Sequence, residues 1–457
     1  MSTLHQPARA QDGGPAESGR ALARCVPDPE AFASAWGRAA VHATAAELPQ
    51  PFDDLLDLDA VDELLSRRGL RTPFLRMAKD GAVVPPSRFT RPGGVGAAIG
   101  DQVDEAAVAR LFVDGTTIVL QALHRIWPPV IEFAGRLRDD VGHPVQVNAY
   151  VTPPSSRGFS AHYDIHDVFV LQVAGEKRWI VHEPCFEAPL RSQPWTERRP
   201  EVERTVAEAE PILDVVLRPG DALYLPRGFI HAAEALGDVC AHLTVGMHVV
   251  TRHALVEALA ALAVDDVELR RSLPLGLDLE DRSTLADELR ATVAALVAYA
   301  EETESEPVVE HLRASLASTA RPAPIAPLAQ AAAARSVDAA MSVRLREGLA
   351  ARLDADNGVA HLEHRTGTLA LDGSVTAALE TLLDGDVHTV GTLPGEPGDV
   401  NRRWIWIGIG EAWNRDWPGG AVGRRAGICD AGKQGQRRKR RQQRNARDQW
   451  WVDGGVG

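Results

Sequence analysis

The chain has 457 residues, of which 45% are hydrophobic and 25% charged, with a formal net charge of −14. That length predicts two or three domains, each able to bury a core, and the absence of any apolar run of about 18 residues excludes a transmembrane helix. The polar start MSTLHQPARAQDGGPAESGR has no apolar segment of a secretory signal. Cys25, Cys185, Cys240 and Cys429 form no CxxC pair, which argues against a disulfide framework or a cysteine zinc site and for a reducing cytoplasm. Charge is uneven: residues 401–457 carry 13 basic and 5 acidic residues, and the rest carries 36 and 58. The body therefore lacks the charge for a broad nucleic-acid face and suits a basic protein partner.

Residues 1–28 are rich in Gly, Ala and polar residues and are expected to be disordered. A mixed stretch with short helices follows, then a strand at Thr116–Leu123. A helix is predicted at PPVIEFAGRLRDDVG, where Val130, Phe133, Leu137 and Val141 share one face. From Val145 to about Val250 the pattern changes to short strands: VQVNAYV, VFVLQV, RWIVH, ILDVVL, ALYL and CAHLTVGMHVV. Arg218–Asp221 reads as a turn, with Pro219 fixing φ and Gly220 permitting a positive one. Many short strands at this spacing predict a jelly roll.

After Thr251 the chain turns helical. RHALVEALAAL is followed by STLADELRATVAAL, with Ser283 as N-cap and Leu285, Leu289, Val293 and Leu296 on one stripe. Further helices are expected near 304–317 and 333–352. A small α+β unit is expected from Asn357 to Gly395, with a two-stranded ribbon at VAHLEHRTGTLALDG and a helix capped by Ser374. Six of the ten tryptophans fall after residue 400, beside GKQGQRRKRRQQRNAR. This basic, Trp-rich tail at 401–457 is expected to be disordered, and nucleic acid would meet the chain only there.

The chemistry lies between these regions. In GFSAHYDIHDVF, His162 and Asp164 are two apart on a predicted strand and so face the same side. In PGDALYLPRGFIH, a turn, a strand and a loop deliver His231. Two histidines and one carboxylate make a facial triad that suits Fe(II) and leaves three coordination positions open. His166 offers an alternative ligand, while His182, His242 and His248 read as core or surface residues.

PGDALYLPRGFIH also matches the second cupin motif without a gap, and GFSAHYDIHDVFVLQVAGEKRW resembles the JmjC family of 2-oxoglutarate oxygenases. NAYVTPPSSRGFSAHYD, and LPRGFIHAAEA followed by HLTVG, are similar to the ribosomal oxygenase branch. The resemblance covers Val145–His248 and extends weakly through the helical segment. It implies an α+β chain with a double-stranded β-helix (jelly-roll, cupin) catalytic domain at 29–250. A helical dimerisation region at 251–355 and a winged-helix-like unit at 356–400 would follow. It implies Fe(II) on His162, Asp164 and His231, 2-oxoglutarate and O2 as cosubstrates, and Lys177 pairing with the distal carboxylate of 2-oxoglutarate. Asn148 and Tyr150 would line the pocket. The implied activity is hydroxylation of a His or Arg side chain in a ribosomal protein by a homodimer. A metallocupin acting on a small molecule, or a non-catalytic cupin, remains open. One departure is that Val245 and Gly246 stand just after HLT, where related enzymes often carry a hydroxyl.

Overall fold

The computed structural model describes residues 21–395 apart from 80, 97, 155, 157–159, 318–320, 350, 365 and 366. The basic tail and the first twenty residues lie outside the described residues. Residues 21–28, assigned above to a disordered terminus, are instead ordered. Ala21, Cys25 and Val26 are buried in the main core, and the Leu22 amide donates to Asp140 at 2.9 Å.

Helices around the sheet start where short polar side chains satisfy their first amides. Asp28 caps α1 (Pro29–Ala35), Asp57 caps α2 (Leu58–Arg67) and Asp104 caps α3 (Glu105–Val113). The predicted strand at 116–123 is shorter, and its end becomes the single turn α4 (Leu123–Ile126). Helix α5 (Pro128–Val141) stops at Gly142, whose φ of 71° allows the left-handed cap. It buries Val130, Phe133 and Leu137, three of the four positions its periodicity marked.

Among the described residues, nine strands form one antiparallel sheet. They are β1 (Val41–Ala43), β2 (Leu75–Lys79), β3 (Ala82–Val83), β6 (Thr117–Leu120), β7 (Val145–Thr152), β8 (Asp167–His182), β9 (Leu213–Leu217), β10 (Ala222–Leu225) and β11 (Ile230–Met247). A separate two-residue ladder joins β4 (Thr90–Arg91) to β5 (Gln102–Val103). The order is β1-β10-β8-β11-β7-β6-β2-β3, with β9 beside β8. This is a cupin-like jelly-roll core.

Side chains alternate across that sheet with a period of two. Phe169, Leu171, Leu243, Val245, Val147 and Val151 join α1, α2, α3 and α5 in the main cluster. Their neighbours Val168 and Val170 join Trp179, Val181, Leu223 and Leu225 in a separate inner cluster. Burying each such side chain contributes about 1.5–3 kcal/mol.

VFVLQV and RWIVH, read as two strands, are one bent sixteen-residue strand. Its bend lies at Gly175, with φ of 63°, opposite a register shift between Leu236 and Ala241 of β11. His162 and Asp164 are not on a strand as expected. They lie in the connection between β7 and β8, where only an isolated bridge joins His162 to His231. His231, expected in a loop, is the second residue of β11.

Beyond α6 (Arg199–Glu208) and the sheet, the chain is helical. Thr251 caps α7 (Arg252–Leu262). Helix α8 (Arg282–Glu302) is capped by Asp281 rather than Ser283, because the Asp281 carboxylate accepts from the Ser283 and Thr284 amides. None of its 21 residues is buried. α9 (Ser305–Ala317) follows, then α10 (Pro327–Ala333).

The helix expected at 333–352 does not form. β12 (Ser342–Val343) pairs with β16 (His388–Thr389), and Val390 and Gly391 donate to Met341 and Ala339. Those long-range bonds override a local Ala-rich preference for helix. The expected ribbon gains a third strand, so β13 (Arg352–Asp356), β14 (Val359–His364) and β15 (Gly367–Asp372) make one sheet. Asp372, not Ser374, caps the turn before α11 (Thr376–Leu382). Ala378, Leu379 and Leu382 close this unit's core over Ala360 and Leu362.

Candidate active site

The two motifs are fastened main chain to main chain. The His231 amide donates to the His162 carbonyl at 2.8 Å and the His162 amide to His231 at 3.1 Å; the Gly228 amide reaches the Asp164 carbonyl at 3.0 Å. One ligand atom from each of His162, Asp164 and His231 lies within 4.8 Å of the other two. His166 is not part of that cluster.

Second contacts set the tautomers. His162 Nδ1 lies 2.7 Å from the Ser160 carbonyl and His231 Nδ1 lies 3.1 Å from the Phe229 carbonyl. A carbonyl oxygen only accepts, so each Nδ1 carries a proton and Nε2 is the nitrogen left for a metal. Burial, with His162 adding to it, pushes His231 down to about 4 and keeps that ring neutral. Burial opposes ionisation of Asp164, but His166, His231 and His162 outweigh it and hold its carboxyl below the ordinary value. Two imidazole lone pairs and a carboxylate at this separation fit a divalent iron ion.

Asp167, fully buried, locks the loop that carries Asp164. It accepts from the Tyr224 hydroxyl at 2.5 Å and from the Arg227 amide at 3.2 Å, while the Arg227 guanidinium lies 3.4 Å away. The start of β8 is thereby tied to the turn before His231. Sequence reading missed this network because its three members are spread over sixty residues and only the fold brings them together.

On the inner face, His231 and Ala235 stand opposite Val181 and Lys177 in the β8–β11 register. Trp179 bridges them. Its ring lies 5.8 Å from His231 and 5.6 Å from His242, and Lys177 Nζ lies 5.7 Å from its centre. Lys177 is 4% exposed, and burial pushes its pKa down to about 8. Among the described residues no carboxylate pairs with it. A buried ammonium without a counter-charge is costly, so this end of the pocket is built for an anion.

Tyr150 stacks on His242 at 5.2 Å; burial raises its hydroxyl to about 12, and Arg76 hydrogen-bonds it. Asn148 lies on the same face of β7, but its Oδ1 accepts from the Ala122 amide at 2.9 Å and holds a residue whose φ is 55°. His242, read as an ordinary core or surface residue, is 3% exposed between Tyr150 and Trp179. Its spacing of two from Cys240 and Thr244 was the available signal. Arg76 gave none, since it reaches Tyr150 only through the β2–β6–β7 order.

A family profile described as the JmjC domain matches residues 130–255, which include this whole constellation except Arg76. This segment is a JmjC domain. Among curated proteins, the chain is 35% identical over 216 residues to ribosomal oxygenase 1 of Rattus norvegicus, covering 43% of this chain and 35% of the relative. It is 39% identical over 143 residues to the bifunctional lysine-specific demethylase and histidyl-hydroxylase NO66 of Drosophila persimilis, covering 29% and 19%. The chain thus spans about a third or less of the length of these relatives. Among solved structures, the ribosomal oxygenase YcfD of Escherichia coli aligns over 84% of this chain and 96% of its own, with a TM-score of 0.47 and 17% identity. A YcfD structure in complex with cobalt and 2-oxoglutarate aligns over 83% and 95%, with a TM-score of 0.44 and 17% identity.

Proposed function

We propose that this chain is an Fe(II)- and 2-oxoglutarate-dependent protein hydroxylase whose substrate is a His or Arg side chain of a basic ribosomal protein. The observation that carries this reading is a three-ligand cluster on the JmjC domain, on the same sheet face as a buried ammonium that no carboxylate pairs with among the described residues. The relatives' names, ribosomal oxygenase and histidyl-hydroxylase, support the substrate class, and so does the acidic body of this chain.

His162, Asp164 and His231 would hold the metal from one side and leave the other side for the cosubstrate and O2. Bound there, Fe(II) with 2-oxoglutarate supplies the O2 activation that side chains alone cannot. Lys177 would pair with the far carboxylate of 2-oxoglutarate and set its direction. Trp179, His242 and Tyr150 wall the space between and keep water out, while Asn148 holds the neighbouring turn and lines the same face.

We also assign α8 to a homodimer interface. Leu289, Val293 and Val297, four apart on one face, are each at least half exposed, and a second copy would cover them. The winged-helix-like part would fall in the expected unit at 356–400, which holds β14, β15 and α11. Cys25, Cys185 and Cys240 are free thiols, which suits a reducing compartment.

The test is succinate release from 2-oxoglutarate with ribosomal proteins as substrate, paired with intact-mass detection of one added oxygen atom. Wild type should give both, and Asp164→Ala neither. Full turnover in Asp164→Ala would remove the metal assignment.

A further inference from the structure

The buried run Val168–Val173 of β8 holds one polar residue, Gln172. It is 0% exposed and stands opposite His242 in the β8–β11 register, on the inner face. An amide in an apolar strand costs free energy unless its hydrogen bonds are made. Gln172 Nε2 donates to the Ala174 carbonyl at 2.9 Å, the Gly175 carbonyl at 3.1 Å and Cys240 Sγ at 3.2 Å. Two carbonyl acceptors beside the nitrogen fix which end of the amide is which. Its Oε1 is buried with no hydrogen-bond partner among the described residues. The amide is thus half satisfied, so the contacts it does make ask for a reason other than stability.

Those contacts sit on the bend of β8. Before the bend Val168 and Val170 point into the inner cluster, and after it Trp179 and Val181 do. Even positions give way to odd ones, so the strand changes phase by one residue around Gly175, whose φ is 63°. A one-residue slip sends every later side chain to the opposite face. Without the phase change Lys177 would share the face of Phe169, Leu171 and Val173, which belong to the main cluster. The ladder does not hold the bend by itself. Gly175 has no register partner in β9 or β11, and the β8–β11 pairing shifts between Leu236 and Ala241. Gln172 supplies what the ladder omits by tying the carbonyls two and three residues ahead of it. Its own main chain is fixed from β10's side: the amide donates to the Asp221 carbonyl and the carbonyl accepts from the Gly220 amide, each at 2.9 Å. Cys240, also 0% exposed, is near enough to Lys177 for each to act on the other electrostatically.

We propose that Gln172 is a positioning residue for the cosubstrate: its amide clamps the Ala174 and Gly175 carbonyls and the Cys240 sulfur, and so fixes the phase change that turns Lys177 into the pocket. The amide nitrogen is engaged by these three acceptors, so Gln172 acts through Lys177 rather than on the cosubstrate itself. The inference rests on the hydroxylase reading above.

The experiment compares full-length wild type, Gln172→Met, Gln172→Asn, Lys177→Ala and the double variant Gln172→Met/Lys177→Ala. Methionine matches glutamine in length and has no donor, whereas asparagine keeps the donor but is one methylene short. Calorimetry measures Co(II) binding and then 2-oxoglutarate binding to the Co(II) form. Succinate release gives kcat and the KM for 2-oxoglutarate. Co(II) affinity should be unchanged in every form. The Kd and KM for 2-oxoglutarate should rise roughly tenfold in Gln172→Met, the scale of one or two hydrogen bonds, and by less in Gln172→Asn. At saturating 2-oxoglutarate, kcat should stay within about twofold of wild type in both. The double variant should bind 2-oxoglutarate as weakly as Lys177→Ala and no more weakly, because the two residues act as one unit. Wild-type affinity in Gln172→Met, a further loss in the double variant, or a parallel loss of Co(II) affinity, the mark of a merely structural role, would each overturn the assignment. If Gln172→Met does not fold, Gln172→Asn carries the same comparisons, alone and combined with Lys177→Ala, and unchanged 2-oxoglutarate affinity in it overturns the assignment. No binding of 2-oxoglutarate to the wild-type Co(II) form would overturn the hydroxylase reading and this inference with it; normal wild-type binding with an indifferent Gln172 would overturn this inference alone.

Discussion

Lys177 is the residue on which the cosubstrate reading turns. Removing one partner of a buried charge pair costs about 3–5 kcal/mol, at least two orders of magnitude in affinity. Lys177→Ala should therefore raise the 2-oxoglutarate requirement by that factor and leave metal binding intact; unchanged dependence would place the anchor elsewhere. Because burial pushes Lys177 down to about 8, 2-oxoglutarate affinity in the wild type should weaken as pH rises past that value. Lys177→Arg should bind more weakly at neutral pH but lose that decline, since a guanidinium stays charged. A calorimetric pH series distinguishes the two. His231 acts at the acid end. Burial, then His162, holds it at about 4, against 6.5 for a free histidine. Between those values the unfolded chain binds more protons than the folded one, so the contribution to stability is complete above about 6.5 and lost on acidification toward 4. Burial of His124 and His248, held at about 4 and about 3, acts in the same direction. The melting temperature of metal-free protein should fall through that window, and a flat profile would contradict these burials.

At the scale of elements, the bend in β8 decides where Lys177 goes. Gly175 adopts φ of 63°, and a Cβ there would collide with the Val239 carbonyl and the Cys240 main chain. Gly175→Ala should cost about 1–3 kcal/mol for the conformation alone, with the collision added. Lys177 lies two residues on, so 2-oxoglutarate affinity should drop with stability, while Co(II) affinity, set beyond the bend, should change less. Equal losses of both would mean that the strand moves as one rigid piece. The Asp167–Tyr224–Arg227 lock belongs to this scale as well. It connects two elements whose motifs read independently in the sequence, and it explains why both motifs arrive at one point.

For the whole molecule, the proposed dimer turns on the exposed apolar face of α8. A Val293→Glu substitution puts a charge into a face proposed to be covered by a second copy, and an unpaired buried charge is expensive. Sedimentation should show a dimer for wild type at micromolar concentration and a monomer for Val293→Glu, each with the same Co(II) affinity. A monomeric wild type would leave the apolar stripe without that explanation. The body's acidic charge, with 58 acidic against 36 basic residues over residues 1–400, belongs to the same scale: it would attract the proposed basic partner as a whole rather than through any one contact.

The sequence by itself determined what depends on local spacing. Alternation marked the strands from Val145 onward, a three-and-four spacing marked the buried face of α5, and the two motifs named His162, Asp164 and His231. It misjudged the caps at Ser283 and Ser374, where an aspartate two residues earlier had the better-placed carboxylate. It also read 333–352 as helix, because an Ala-rich stretch carries a local preference that strand pairing with residues 388–391 overrides. Tertiary structure alone decided the rest. The approach of Arg76 to Tyr150, the burial of Lys177 with no carboxylate partner among the described residues and the Asp167 lock all depend on residues far apart in the chain. Their physical cause is the order of strands and the register between them, and no local pattern carries either.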